Sequence, residues 1–150
     1  MFEVKEFKEN YIEPAAKLFT VSFEKERSRI PLILDRDKVI DEVSDILRKI
    51  SGRPGVVAFR GVKLVGYMLE TNTAENFMSK RTAFCIDLCA HCAAEKQKEL
   101  IYQRMYERLS RIWVGNQYLT HEISFFASDD VISFTSYRLG FLTMNISKRR

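Results

Sequence analysis

Two places in this chain combine residue types that can move protons. Asp87 and His91 stand four apart in FCIDLCAHC, an alternating run over 84–92. Read as one extended strand, alternate residues share a face. Cys85, Asp87, Cys89 and His91 then lie on one side, and Phe84, Ile86, Leu88 and Ala90 on the other. Asp87 and His91 would be about 13 Å apart on that strand. Histidine titrates near neutral pH, and a carboxylate among apolar neighbours needs a partner. Either residue can act as a general base if its face lines a cleft. His121 and Glu122 are the alternatives further on, but as neighbours in a strand they point to opposite faces.

Cys89-x-x-Cys92 beside His91 has half of a zinc spacing. A structural zinc site wants four ligands, and no second pair exists, because His121 stands alone. The reading is therefore no metal, with the three cysteines as small buried groups. No Ser/His/Asp triad, Walker loop or dinucleotide fingerprint is present. With six glycines in 150 residues, phosphate-cradling loops are not expected.

These residues need elements to hold them. FEVKEF at 2–7 alternates and reads as a strand. Asn10 and Glu13 form a capping-box pattern before a helix with Pro14 in its first turn and a stripe of Ile12, Ala15, Ala16, Phe19 and Phe23. A second helix starts near Asp35 or Asp37, with Val39, Ile40, Val43, Ile46, Leu47 and Ile50 on one face, and stops at Gly52 and Pro54. VVAF at 56–59 and KLVGYMLE at 63–70 flank Arg60-Gly61 and read as a hairpin. The polar run 71–82 reads as a loop. Residues 95–114 form a long helix with Ile101, Met105, Leu109 and Ile112 inward, Leu100 and Trp113 adjoining them, and Arg104, Arg108 and Arg111 on another, solvated face. LTHEISFFA at 119–127 is a strand. Asp129 caps a short helix over 130–138 that ends at Gly140, and 141–146 is a last strand. The order β-α-α-β-β-β-α-β-α-β implies an α/β sheet with helices on both faces.

Length fits one domain, residues 1–150. No apolar run approaches the roughly 20 residues of a membrane span, and no signal peptide pattern opens the chain. A cytoplasmic protein with no membrane partner is expected. The net charge of +4 suits an anionic partner such as a nucleotide-bearing cofactor. It does not indicate nucleic acid, since much of the excess sits in Lys148-Arg149-Arg150.

Three stretches resemble the GNAT superfamily of N-acetyltransferases. They are the hairpin VVAFRGVKLVGYMLE, the strand–turn–helix unit FCIDLCAHCAAEKQKELIYQRMYERL, and HEISFFASDDVISFTSYRLGF with its closing Leu139-Gly140-Phe141. The resemblance covers residues 2–146. It implies a GNAT-like mixed central sheet flanked by helices, and acetyl transfer from acetyl-CoA to a small-molecule or peptide amine. It places acetyl-CoA against Leu88, Cys89 and Ala90 of the fourth strand and the start of the next helix.

The family motif Q/R-x-x-G-x-G/A falls on Gln97, Lys98, Glu99, Leu100, Ile101 and Tyr102. Gln97 matches, while Leu100 and Tyr102 replace the two glycines. Glu95 and Glu99 would repel phosphates, and Lys96 and Lys98 partly offset them. The family's general-acid tyrosine aligns with Ser136; Tyr137, one residue on, is the candidate acid, beside Asp87 and His91 as candidate bases. The family adds a strand after Leu-Gly-Phe, and residues 142–150 leave little length for it. The chain is therefore expected to be a fragment, or the first half of a tandem two-domain member, or to borrow that strand from a dimer partner. The alternative to an enzyme is a non-catalytic scaffold supporting a second GNAT domain or a homodimer.

Overall fold

A computed structural model of the protein describes residues 2–27, 36–126 and 129–141. Strand β1 (Glu3–Glu6) leads through a 3-10 turn (Glu9–Tyr11) into helix α1 (Ile12–Arg27). Helix α2 spans Arg36–Ile50. Strands β2 (Gly55–Arg60), β3 (Lys63–Leu69), β4 (Asn72–Phe77), β5 (Lys80–Cys85) and β6 (His91–Ala93) follow. Helix α3 (Lys98–Gly115), strand β7 (Thr120–Ile123) and helix α4 (Asp130–Arg138) complete the described elements. The strand expected over 141–146 lies, apart from Phe141, outside the described residues.

The helical stripes are where periodicity puts them. Ile12, Ala15, Ala16 and Phe19 of α1 are buried, as are Val39, Val43, Leu47 and Ile50 of α2. Asn10 does not cap α1: it lies inside the 3-10 turn, whose start has no side-chain cap. On α3 the buried face is Ile101, Tyr102, Met105, Leu109 and Trp113, with Ile112 packed partly buried against it. Arg104, Arg108 and Arg111 are exposed. Arg108 donates to the Val4 carbonyl at 2.7 Å, and Arg111 pairs with Glu107 at 2.9 Å.

The strands form two sheets, β1-β2-β3-β6 and β4-β5-β7. In the first, every neighbouring pair is antiparallel, and β2 and β3 join at Gly61 with φ +63°. On β3, Gly66 and Tyr67 face opposite ways. A Cβ on Gly66 would sit 2.6 Å from the Ile101 Cγ2 of α3. Tyr67 pairs in register with Cys92, whose thiol approaches Ser22 of α1 at 3.2 Å. The sheet is therefore sandwiched between α1 and α3, with α2 packed on α1.

Two expectations are corrected. The polar run 71–82 is not a loop but the hairpin β4–β5, turning at Met78 and Ser79, both with positive φ. That is the backbone shape of a tight two-residue hairpin. An edge strand pairs through its backbone, so Asn72–Phe77 needed no apolar alternation to join it. The run 84–92 is not one strand. It leaves β7 after Cys85 and rejoins β3 at His91. Residues 86–90 between them turn, with Ala90 N–H donating to the Asp87 carbonyl at 2.9 Å. Ile86 and Leu88 are exposed and Ala90 is buried, so the expected common faces do not exist.

Candidate functional site

The site is a slot where two strands part. β5 and β7 run side by side in parallel, from Thr82↔Thr120 to Cys85↔Ile123. Past Cys85 the chain swings to β3, and the segment after β7 goes to α4. The gap is a cavity of about 250 Å³ between α1, β6, the start of α3 and the start of α4. Phe19, Phe23, Phe125 and Phe126 form its apolar wall.

Two polar bonds span this slot. His91 opens β6 and is buried. Its Nε2 lies 2.5 Å from the Ser124 carbonyl, and its Nδ1 lies 2.9 Å from the Tyr102 hydroxyl. A carbonyl only accepts, so Nε2 carries the proton and Nδ1 accepts from Tyr102. Burial lowers the His91 pKa and so favours the uncharged ring, partly opposed by the Ser124 bond. Burial raises the Tyr102 hydroxyl well above its usual value. The second bond joins Lys98 Nζ, on the first turn of α3, to Asp129 Oδ2 at 2.6 Å. Glu95 lies 3.6 Å from the same ammonium. Burial pulls the Lys98 pKa down, but the Asp129 bond and the two carboxylates outweigh it and leave it raised. Asp129 also caps α4, accepting from Ile132 N–H at 3.2 Å.

The other candidate residues scatter. Asp87 is exposed in the 86–90 turn and does not line the cavity, so it shares no face with His91. Tyr137 is 72% exposed on α4 and also lies off the cavity. Leu88 lines the cavity rim. Cys89 and Ala90 are buried, and their backbone is already engaged. The Cys89 carbonyl accepts from Tyr67 at 2.7 Å, and the Ala90 carbonyl accepts from Leu69 N–H at 2.9 Å. Gln97 sits before α3 in the left-handed region, φ 59°, and its Oε1 accepts from Arg60 at 2.9 Å. Leu100 points outward. Lys98 is buried, because its pairing with Asp129 draws it inside. His121 makes a second copy of the His91 pattern, between the Tyr106 hydroxyl at 2.7 Å and the Tyr118 carbonyl at 2.8 Å.

Asp129 was legible as a cap but not as the partner of Lys98, which is 31 residues away. All three cysteines are free and buried. Burial pushes the Cys89 and Cys92 thiols up to about 11. Among the described residues no group of three or more His, Cys, Asp or Glu could hold a metal ion, and no helix is long and apolar enough to cross a membrane.

Known structures fit this architecture over its whole length. An aminoglycoside acetyltransferase from an uncultured soil metagenomic sample, solved with sisomicin, superposes with a TM-score of 0.66 at 16% identity, covering 99% of this chain and 93% of that one. A ribosomal-protein-alanine N-acetyltransferase from Brucella melitensis biovar Abortus 2308 gives 0.68 at 9% identity, covering 100% and 98%. The chain has the GNAT fold. A possible acetyltransferase from Clostridium difficile 630 agrees, at 0.66 and 10% identity over 100% and 96%. No family model and no curated protein matches the chain.

In the GNAT fold the slot and the first turn of α3 are where acetyl-CoA is expected, and the residues here do not fit it. A diphosphate would meet the carboxylates of Glu95, Asp129 and Asp130, all on the cavity wall. The cation best placed to answer it, Lys98, is already paired. At the second glycine position the Tyr102 ring lies buried against His91, with centroids 5.6 Å apart. His91 itself crosses the gap, bonded to both Tyr102 and Ser124.

Proposed function

We propose that this chain is a GNAT-fold domain that does not seat acetyl-CoA and works in the cytoplasm as a non-catalytic support for an active unit, either a second GNAT domain or a further copy. The observation that carries this is the Lys98–Asp129 ion pair across the slot mouth, 2.6 Å long with both side chains largely buried. A buried pair of this kind is costly to break, because each charge would be left without its partner. The exposed apolar residues of α4 support a partner on that side: Val131, Phe134 and Tyr137, three apart, are 41%, 58% and 72% exposed. Calorimetry with acetyl-CoA tests the proposal. No heat of binding is expected up to millimolar ligand, and a micromolar dissociation constant sinks it.

A second reading keeps catalysis: an acetyl-CoA-dependent N-acetyltransferase acting on a small-molecule or peptide amine. It is favoured by the start of α3, which no side chain caps and beside which Arg60 stands. Uncapped helix N–H groups attract phosphate. The neighbours named for aminoglycoside and ribosomal-protein-alanine acetylation act on amines, which supports the same reading. In it His91, the one of Asp87, His91 and Tyr137 that lines the cavity, is the candidate for proton transfer, and the micromolar outcome above would be its signature.

A further inference from the structure

Helix α4 buries one side and leaves the other to solvent. Ile132, Thr135 and Ser136 are buried, and the helix packs on α3. The opposite side carries Asp130, Val131, Phe134, Tyr137 and Arg138, all exposed. At about 100° per residue, Phe134 is the midline of that side. Asp130 and Arg138 lie about 40° to either side of it, and Val131 and Tyr137 about 60°. The spacing along the axis is even too. Val131 and Tyr137 stand three positions before and after Phe134, and Asp130 and Arg138 stand four. Exposed apolar groups rimmed by charge mark interaction surfaces, and this one is complementary to itself. When two identical helices meet antiparallel across a twofold axis, residues equally far from the centre come level. Phe134 then meets its own image, Val131 comes level with Tyr137, and the acidic Asp130 with the basic Arg138. Asp130 makes no ion pair among the described residues. Arg138 pairs with Glu99 and lies 5.7 Å from the centre of the Phe134 ring, at the edge of the apolar stripe. A guanidinium has five N–H donors and can serve a second carboxylate.

We propose that the exposed side of α4 is the centre of a twofold interface with a second copy of this chain, the two helices antiparallel, Phe134 on the axis, and Asp130 opposite the partner's Arg138. This rests on the reading that a partner covers α4, and it names that partner.

The test is sedimentation equilibrium of the whole chain from about 10 μM to about 1 mM, the range suited to a small interface. The chain is expected to dimerise reversibly. Phe134→Glu should weaken the dimer about 30-fold, as loss of a central aromatic anchor does. Asp130→Arg and Arg138→Glu should each weaken it about fivefold, since each sets like charges level across the axis. Mixed in equal amounts, these two variants should associate with each other more tightly than either does with itself, because every facing pair is again opposite in sign. Phe134→Glu changes an exposed residue and leaves the Arg138–Glu99 pair intact, so it tests the face even if a charge variant fails to fold. A chain that stays monomeric throughout that range, a dimer that Phe134→Glu leaves as tight, or two folded charge variants with no preference for each other each overturns the proposal. Acetyl-CoA binding is measured by calorimetry on the same samples. Micromolar binding sinks the non-catalytic reading whatever the mass; a monomer that binds no acetyl-CoA sinks only the present inference.

Discussion

His91 Nε2 donates to the carbonyl of Ser124 at 2.5 Å, so one imidazole ties the start of β6 to the end of β7 where the sheet divides. That bond needs the ring only as a donor at Nε2. The partner at Nδ1, the Tyr102 hydroxyl, is satisfied when the ring is neutral. Charging His91 adds a cation to a buried site that already contains Lys98.

This gives a signed pH dependence. His91 has its pKa lowered in the fold from an ordinary 6.5, chiefly by burial, and His121 is lowered by burial too. Below about pH 6.5 the unfolded chain binds protons that the folded chain refuses. Stability is therefore full above that pH and is lost as pH falls toward the depressed values. The thermal midpoint should drop between pH 7 and 5.5. The drop should be smaller in His91→Gln and smaller again in His91→Gln/His121→Gln. An unchanged slope in the double variant would show that the histidines are not its source.

Lys98 and Asp129 should be coupled. A double-mutant cycle with Lys98→Met and Asp129→Asn, read by urea unfolding, should give a coupling energy of about 1–2 kcal/mol, within the range for residues in direct contact. The pair also joins α3 to α4, alongside the Arg138–Glu99 pair. Lys98→Met should therefore raise hydrogen exchange in α4 more than in α2. Additive single effects would mean that the pair does not hold the slot closed.

Glu70 should matter more than its place at a strand end suggests. Its side chain is 5% exposed and accepts from Trp113 Nε1 at 2.9 Å and from Arg53 at 3.0 Å. Glu70→Leu leaves the buried indole N–H without an acceptor, a cost of about 1–3 kcal/mol. Glu70→Gln keeps an acceptor for Trp113 and should cost less. Chemical denaturation, with Trp113 as the fluorophore, measures both; equal losses would refute the account.

What the chain's order alone established is the set of elements whose signals are local. Val39, Val43, Leu47 and Ile50 recur at helical spacing, and a helix is the shape that puts them on one face. Asp129 and Gly140 mark both ends of α4, because capping is settled within a few residues. Gly61 fixes the β2–β3 turn.

Contacts between distant residues were decided only in three dimensions. The strand alternation of 84–92 continues through Ile86 and Leu88, yet both face solvent, because backbone partners and not side-chain pattern determine where a strand changes sheet. β4 was invisible since edge pairing uses amides that every residue carries. Lys98 reads as a surface lysine until Asp129 is brought beside it, and His91 as a base until Ser124 and Tyr102 occupy both its nitrogens. A side chain's type sets what it can do; the tertiary neighbours that claim its polar atoms decide what is left for it to do.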